Sequence, residues 1–149
     1  MGTWGSGNFD DDTAADHLST ITGRLITEVA EAMASAPVEI EPDEYWGVAV
    51  PCNLELLHLL AKQRWVGATL PPAETIAAWK ATYLGVWDRA IDSLGPNPDY
   101  KGERRAVLTA TFEKLEALAR EVSPPPPPSW AKRPPETGAK KPVKTRAKK

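Results

Sequence analysis

From Thr13 onward the apolar residues Ala14, Leu18, Ile21, Leu25, Val29 and Ala32 recur in steps of three and four, the period of one α-helical face. Asp16, Ser19, Thr20, Thr27, Glu28 and Glu31 occupy the other faces. Pro37 marks the end, because the residue before a proline is pushed out of the helical region. The pattern predicts a first helix over about 13–35. In the next segment Leu54, Leu57, Leu60 and Ala61 form a stripe, with Leu56 and Leu59 beside it. Pro51 is the awkward residue, since it lacks an N–H and its ring presses on the preceding turn. Either the helix kinks there or the main helix starts there; the preferred reading is a helix over about 43–64 kinked near Pro51.

Gly67 to Pro72 reads as a loop. Beyond it Ile76, Trp79, Tyr83, Trp87 or Val86, Ala90 and Leu94 make an aromatic-rich stripe, which predicts a third helix over about 72–94. Gly95 is placed to cap it, and Pro96 and Pro98 prevent its continuation. Leu108, Phe112, Leu115, Leu118 or Ala119 and Val122 form the inner face of a fourth helix over about 99–122. Glu116 and Arg120 stand one turn apart on its outer side, in the favourable order. No run shows sustained β-alternation, and no internal repeat is visible. The expectation is an all-α fold: a four-helix antiparallel bundle domain over residues 1–122, opened by an aromatic and glycine-rich loop at 1–12.

Within that loop Gly2, Gly5 and Gly7 do not suit a helix interior, where each costs about 1 kcal/mol relative to alanine. They let the backbone bend, and the simplest reading folds Trp4 and Phe9 back as a plug on the bundle. Asp12 or Thr13 is expected to cap the first helix, with Thr13 and Asp16 as a capping box. Acidic groups there also face the positive end of the helix dipole. The stretch Met1-Gly2-Thr3-Trp4-Gly5-Ser6-Gly7-Asn8-Phe9-Asp10-Asp11-Asp12-Thr13-Ala14-Ala15-Asp16 resembles the opening signature of a bacterial family known as domain of unknown function 4259. Gly2, Trp4, Gly5, Gly7, Phe9, Asp12, Ala14 and Asp16 match its G-x-W-G-x-G-x-F…D-x-A-x-D pattern, and His17 stands where the family has tryptophan. The resemblance implies a small α-helical domain and no activity.

A length of 149 residues fits one such domain. Charge divides the chain more sharply. Residues 1–122 hold ten Lys/Arg against nineteen Asp/Glu, a net −9, whereas residues 123–149 hold eight against one, a net +7. An acidic body therefore precedes a basic tail. Cys52 is the single cysteine, so no intrachain disulfide forms, which fits a reducing compartment. The first twenty residues carry no Lys or Arg and no long apolar run, so no secretory leader is expected. No stretch approaches the ~18 apolar residues of a membrane span. Cytoplasmic is the expected location.

Candidate chemistry adds little. Met1-Gly2-x-x-x-Ser6 satisfies the short myristoylation pattern, but the bacterial origin implied by the resemblance excludes it. Gly5-Ser6-Gly7 lacks the lysine and preceding strand of a phosphate loop. Asp10, Asp12, Asp16 and His17 are candidate ligands for a hard cation, yet no calcium-loop glycine and glutamate follow. Glu55 and His58 form one Glu-x-x-His; a di-iron bundle needs two such motifs and further glutamates. Cys52 with His58 or His17 could serve as nucleophile and base, although a cysteine in an apolar stretch is expected to be buried and inert. Trp46, Trp65, Trp79 and Trp87 read first as packing residues, with a partner surface as the alternative. The expectation is no catalytic set, no cofactor and no committed metal site.

Pro124 to Pro128 predict a stiff polyproline rod of about 15 Å. The residues after it have little to bury and are expected to be disordered. Pro135-Glu136-Thr137-Gly138 is similar to a sortase motif but lacks its leading leucine and following apolar span. Lys132, Arg133, Lys140, Lys141, Lys144, Arg146, Lys148 and Lys149 are candidate phosphate contacts for nucleic acid. An anionic membrane surface and loose self-contact with the acidic body are the alternatives. Taken together, the sequence points first to a non-enzymatic protein–protein interaction module of unknown partner. A nucleic-acid-associated protein and a divalent-metal-binding protein or hydrolase are the alternatives.

Overall fold

The computed structural model describes residues 2–122. Helix α1 spans Asp12–Ala34, and its cap is Asp11 rather than Asp12 or Thr13. The Asp11 carboxylate accepts the Thr13 N–H at 2.8 Å, which satisfies one of the orphan donors of the first turn. With the cap one residue earlier than expected, Thr13 and Asp16 form no capping box. A 3-10 turn at Pro37–Ile40 leads into helix α2, Tyr45–Lys62. Helix α3 spans Ala73–Ala90 and tightens into a 3-10 turn at Ile91–Leu94. Gly95 closes it in the left-handed conformation, φ 62°. Helix α4 spans Pro98–Val122.

Each helix runs antiparallel to the one before it. Asn53, midway along α2, donates to the Leu25 carbonyl of α1, and Arg105 and Lys80 of the second hairpin reach Asp88 and Glu113. Helices α2 and α4 then lie side by side with their C-terminal ends together, where Arg64 meets Glu121 at 3.0 Å. The core threads all four: Leu18 and Val29, Val50, Leu54 and Leu57, Ile76, Tyr83 and Trp87, Leu108, Phe112 and Leu115. Burying each such side chain fully contributes about 1.5–3 kcal/mol. No β-strand occurs among the described residues; Thr3 and Asp11 make one isolated antiparallel bridge. No helix among the described residues is long and apolar enough to cross a membrane.

Pro51 sits inside α2, and the helix begins at Tyr45 rather than near 43. Having no N–H, Pro51 leaves the Gly47 carbonyl, four residues earlier, without its helical donor. The Tyr83 hydroxyl of α3 donates to that carbonyl instead. Burial pushes the Tyr83 phenol up to about 12, as expected of a group whose charged form would be desolvated. Gly47 has a second role. A Cβ there would lie 1.8 Å from the Glu41 carbonyl oxygen, so only glycine lets the link before α2 fold against the helix.

Candidate functional site

The opening loop is a small hairpin held by its own polar groups. Trp4 N–H donates to the Asp10 carbonyl at 2.9 Å, and Asp12 N–H donates to the Gly2 carbonyl at 2.9 Å. The Asp10 carboxylate accepts the Gly7 N–H at 3.0 Å. The Thr3 hydroxyl donates to Asp11 at 2.6 Å, and this bond, before the Thr13 N–H, holds the Asp11 carboxyl below its usual range. Gly2 passes against the Asp12 side chain, and Gly5 and Gly7 against that of Asp10. Phe9 stacks on Trp65, with ring centroids 4.1 Å apart and planes 16° apart.

Three expectations for this end need correction. Trp4 is 49% exposed and forms no plug, because the hairpin turns it outward while Phe9 alone docks. Trp65 belongs to that exposed stack, and only Trp79 and Trp87 of the four body tryptophans are fully in the core. Thr22, not Ile21, occupies the buried position on α1. Its hydroxyl accepts the Thr69 N–H at 3.1 Å and lies 2.7 Å from the Thr69 hydroxyl. One turn earlier the Ser19 hydroxyl donates to the Gly67 carbonyl at 2.6 Å. Gly67 adopts φ 100°, and a Cβ there would sit 2.1 Å from the Ala15 carbonyl oxygen. The α2–α3 loop is thus pressed flat onto α1.

Asp10 and Asp12 are drawn into the hairpin, and Asp16 is exposed on the first turns of α1. Glu55 and His58 instead line a groove of about 340 Å³ between α2 and α4, with Leu59, Lys62, Val107 and Lys114. Partial burial, then Lys62 and Lys114, hold the His58 imidazole below its usual range. No group of three or more His, Cys, Asp or Glu residues that could hold a metal ion occurs among the described residues. Cys52 is exposed rather than buried, because its side of α2 faces away from the core. It is six residues from His58 along α2, on a different face of the helix. The eight tail cations from Lys132 to Lys149 lie outside the described residues.

Another concavity is one that sequence periodicity did not single out. At the opposite end of the bundle a cleft of about 440 Å³ opens between the start of α2, the end of α3 and the start of α4. Gly47, Tyr83, Trp87 and Ile91 line its inner part, and Pro42, Val48, Leu94, Pro96, Tyr100 and Arg104 line the remainder. Around the mouth Val48, Leu94 and Tyr100 are each about half exposed, and neighbouring Tyr45 is 74% exposed. Ion pairs hold the α3–α4 corner in place. Arg105 grips Asp88 through two bonds at 2.9 and 3.0 Å, and Lys101 meets Asp92. Arg104 takes part in no ion pair among the described residues. It is half-buried, and its charge acts on the Tyr83 phenol. The outer-face pair Tyr100 and Arg104, four residues apart on a helix with a complete apolar stripe elsewhere, is the signal that could have located the cleft.

The arrangement is a concave aromatic and aliphatic surface with a single cation at its edge. Among the described residues that line it there is neither a nucleophile paired with a base nor a cluster of carboxylates. No curated protein and no solved structure matches the chain. A family model described as domain of unknown function (DUF4259) does match, over residues 2–122, which is most of the chain. The protein is therefore a member of the DUF4259 family.

Proposed function

We propose that this protein is a protein–protein interaction module that docks an extended segment of a partner in the cleft between α2, α3 and α4. The carrying observation is the ring of exposed apolar side chains, Val48, Leu94 and Tyr100, around a cleft walled by Tyr83 and Trp87. Large aromatic groups at the centre of a concave patch are the usual anchors of such contacts. Glu39, Glu41, Asp43 and Glu44 stand within three residues, along the chain, of Pro42, which lines the cleft. The fitting partner therefore presents a bulky apolar anchor with basic residues next to it.

A photo-crosslinking residue in place of Leu94, introduced in the native host, tests the reading. The same residue in place of Val66, at the other end of the bundle, is the control. The expected result is one saturable adduct from position 94, absent from position 66 and lost with Tyr100→Ser. No specific adduct from position 94 would overturn it. A second reading rests on the +7 charge of residues 123–149: the tail contacts nucleic-acid phosphates, with affinity falling steeply as salt rises. Truncation after Val122 that leaves nucleic-acid affinity unchanged would remove it.

A further inference from the structure

We propose that the groove between α2 and α4 is a binding site for a small organic anion. The head of that ligand, a carboxylate or a phosphate, sits between Lys62 and Lys114 beside His58, and its apolar body lies along Leu59, Val107 and Ala110. This site is separate from the cleft and independent of the docking reading.

Charge singles the groove out. Residues 1–122 carry a net −9, yet here three basic side chains from two helices meet one carboxylate, Glu55. Six Lys and Arg side chains elsewhere on the bundle pair with a carboxylate, whereas Lys62, Lys114 and His58 take part in no ion pair among the described residues. The sequence arranges this: no Asp or Glu stands three or four residues from either lysine, the spacing at which a helix supplies a partner. Partial burial, and then both ammonium charges, hold the His58 imidazole below its usual range, with Glu55 opposing them. Like charges gathered in this way disfavour one another, and an anion among them removes the conflict. Lysine meets such a head as a point charge and suits a phosphate or a carboxylate alike.

The walls define the rest of the ligand. Leu59 and Val107 are each about half exposed, and Ala110 adds apolar surface without filling the space between the helices. An inorganic ion would leave these groups wet; an apolar body covers them. The Thr111 hydroxyl donates to the Val107 carbonyl at 2.8 Å, so the donors left for the head are the two ammoniums and the imidazole N–H. Glu55 stands seven residues before Lys62, about 10 Å along α2 at 1.5 Å per residue. It repels a second negative group at that end, so the ligand is charged at one end only. A groove of about 340 Å³ is at the small end of the range for small-molecule sites.

The test is proton NMR of the imidazole ring signals of the full chain, with His58→Gln identifying the His58 signals. His17 is the only other histidine and does not line the groove, so it serves as the internal control. Octanoate and octyl phosphate are the probes, presenting one body under the two heads. The expected result is a saturable displacement of the His58 signals, with His17 unmoved, by at least one of them; the tighter probe names the head. With that probe bound, the titration of His58 should move upward, because a neighbouring anion favours the imidazolium. Lys62→Gln with Lys114→Gln should weaken binding by about tenfold or more, as loss of charge-assisted bonds implies. Arg24→Gln, which removes an exposed charge on α1, should not. Thermal unfolding of each variant confirms that the bundle is intact. No saturable displacement of His58 by either probe overturns the proposal. So does an affinity that the double lysine variant leaves unchanged. Inorganic phosphate binding as tightly as octyl phosphate overturns it too, since the apolar walls would then contribute nothing.

Discussion

The two ends of the bundle are built on opposite principles. At the end that holds the opening hairpin, side-chain hydroxyls and carboxylates are turned inward onto backbone: Thr22 on Thr69, Ser19 on Gly67, Asp10 on Gly7, Asp11 on Thr13. Phe9 and Trp65 cover one another. At the other end the polar groups do only enough to hold the helices, through Arg105 with Asp88 and Tyr83 with Gly47. Tyr45, Val48, Leu94 and Tyr100 are left facing outward. Large exposed apolar groups gathered round a cleft are unusual for a surface that meets only water. The contrast separates a closed end, knitted together by these bonds although Trp4, Trp65 and Val66 stay exposed there, from an open end whose apolar cleft carries the docking proposal.

Gly67→Ala at the closed end should have the largest effect. It combines a φ of 100° with a collision on backbone that has no flexible tip to move aside, and a cost of about 2–4 kcal/mol is expected. Thermal unfolding followed by circular dichroism measures it, and a loss below 1 kcal/mol would show that the loop is not pressed on α1. Next, Tyr83→Phe leaves the Gly47 carbonyl unsatisfied and should cost about 1–3 kcal/mol. In a Pro51→Ala background the same change should cost much less, because residue 51 regains an N–H for that carbonyl. A double-mutant cycle reads the difference, and strict additivity would contradict the role given to Tyr83. The phenol also sets an alkaline limit. The unfolded chain ionises it near 10 and the folded chain near 12, so stability is lost as pH rises from 10 to 12, and Tyr83→Phe should flatten that slope.

Asp11→Asn is expected to have a smaller effect with a distinct signature. Hydrogen bonds hold this carboxyl below its usual 3.8 when folded, so its contribution is present above that value. The contribution disappears as pH falls through the folded value. The substitution should reduce the acid sensitivity of unfolding while lowering stability at neutral pH. Smallest of all, Leu94→Ser and Tyr100→Ser at the open end should change stability by no more than about 0.5 kcal/mol, as expected at exposed sites. Tyr100→Ser should nevertheless abolish the crosslink from position 94. A stability loss comparable to that of Tyr83→Phe would mean that the open end is structural after all.

The helices were legible because each carries a periodic apolar face long enough to outweigh local exceptions. Leu54, Leu57, Phe112 and Leu115 are where the spacing puts them. The family was legible too, and the family model matches residues 2–122, a span that contains the opening glycines, Trp4 and Phe9. What periodicity missed were features made by two distant segments. Asp11 caps α1 because Thr3 holds its other oxygen, a contact across the hairpin that no helix rule contains. Thr22 replaces Ile21 in the interior because the α2–α3 loop brings Thr69 to it. The cleft is assembled from the ends of three helices, so no single stretch of sequence contains it. Tyr100 and Arg104 register in one dimension only as surface residues of α4.

The hydroxyl that Tyr83 lends to the gap above Pro51 also acts as a stop. A ladder of ordinary helix contacts tolerates sliding by a turn, since one row of side chains resembles the next. A single phenol reaching a single orphaned carbonyl does not. It locks the height of the third helix against the second, and with it the depth of the hollow that both of them wall.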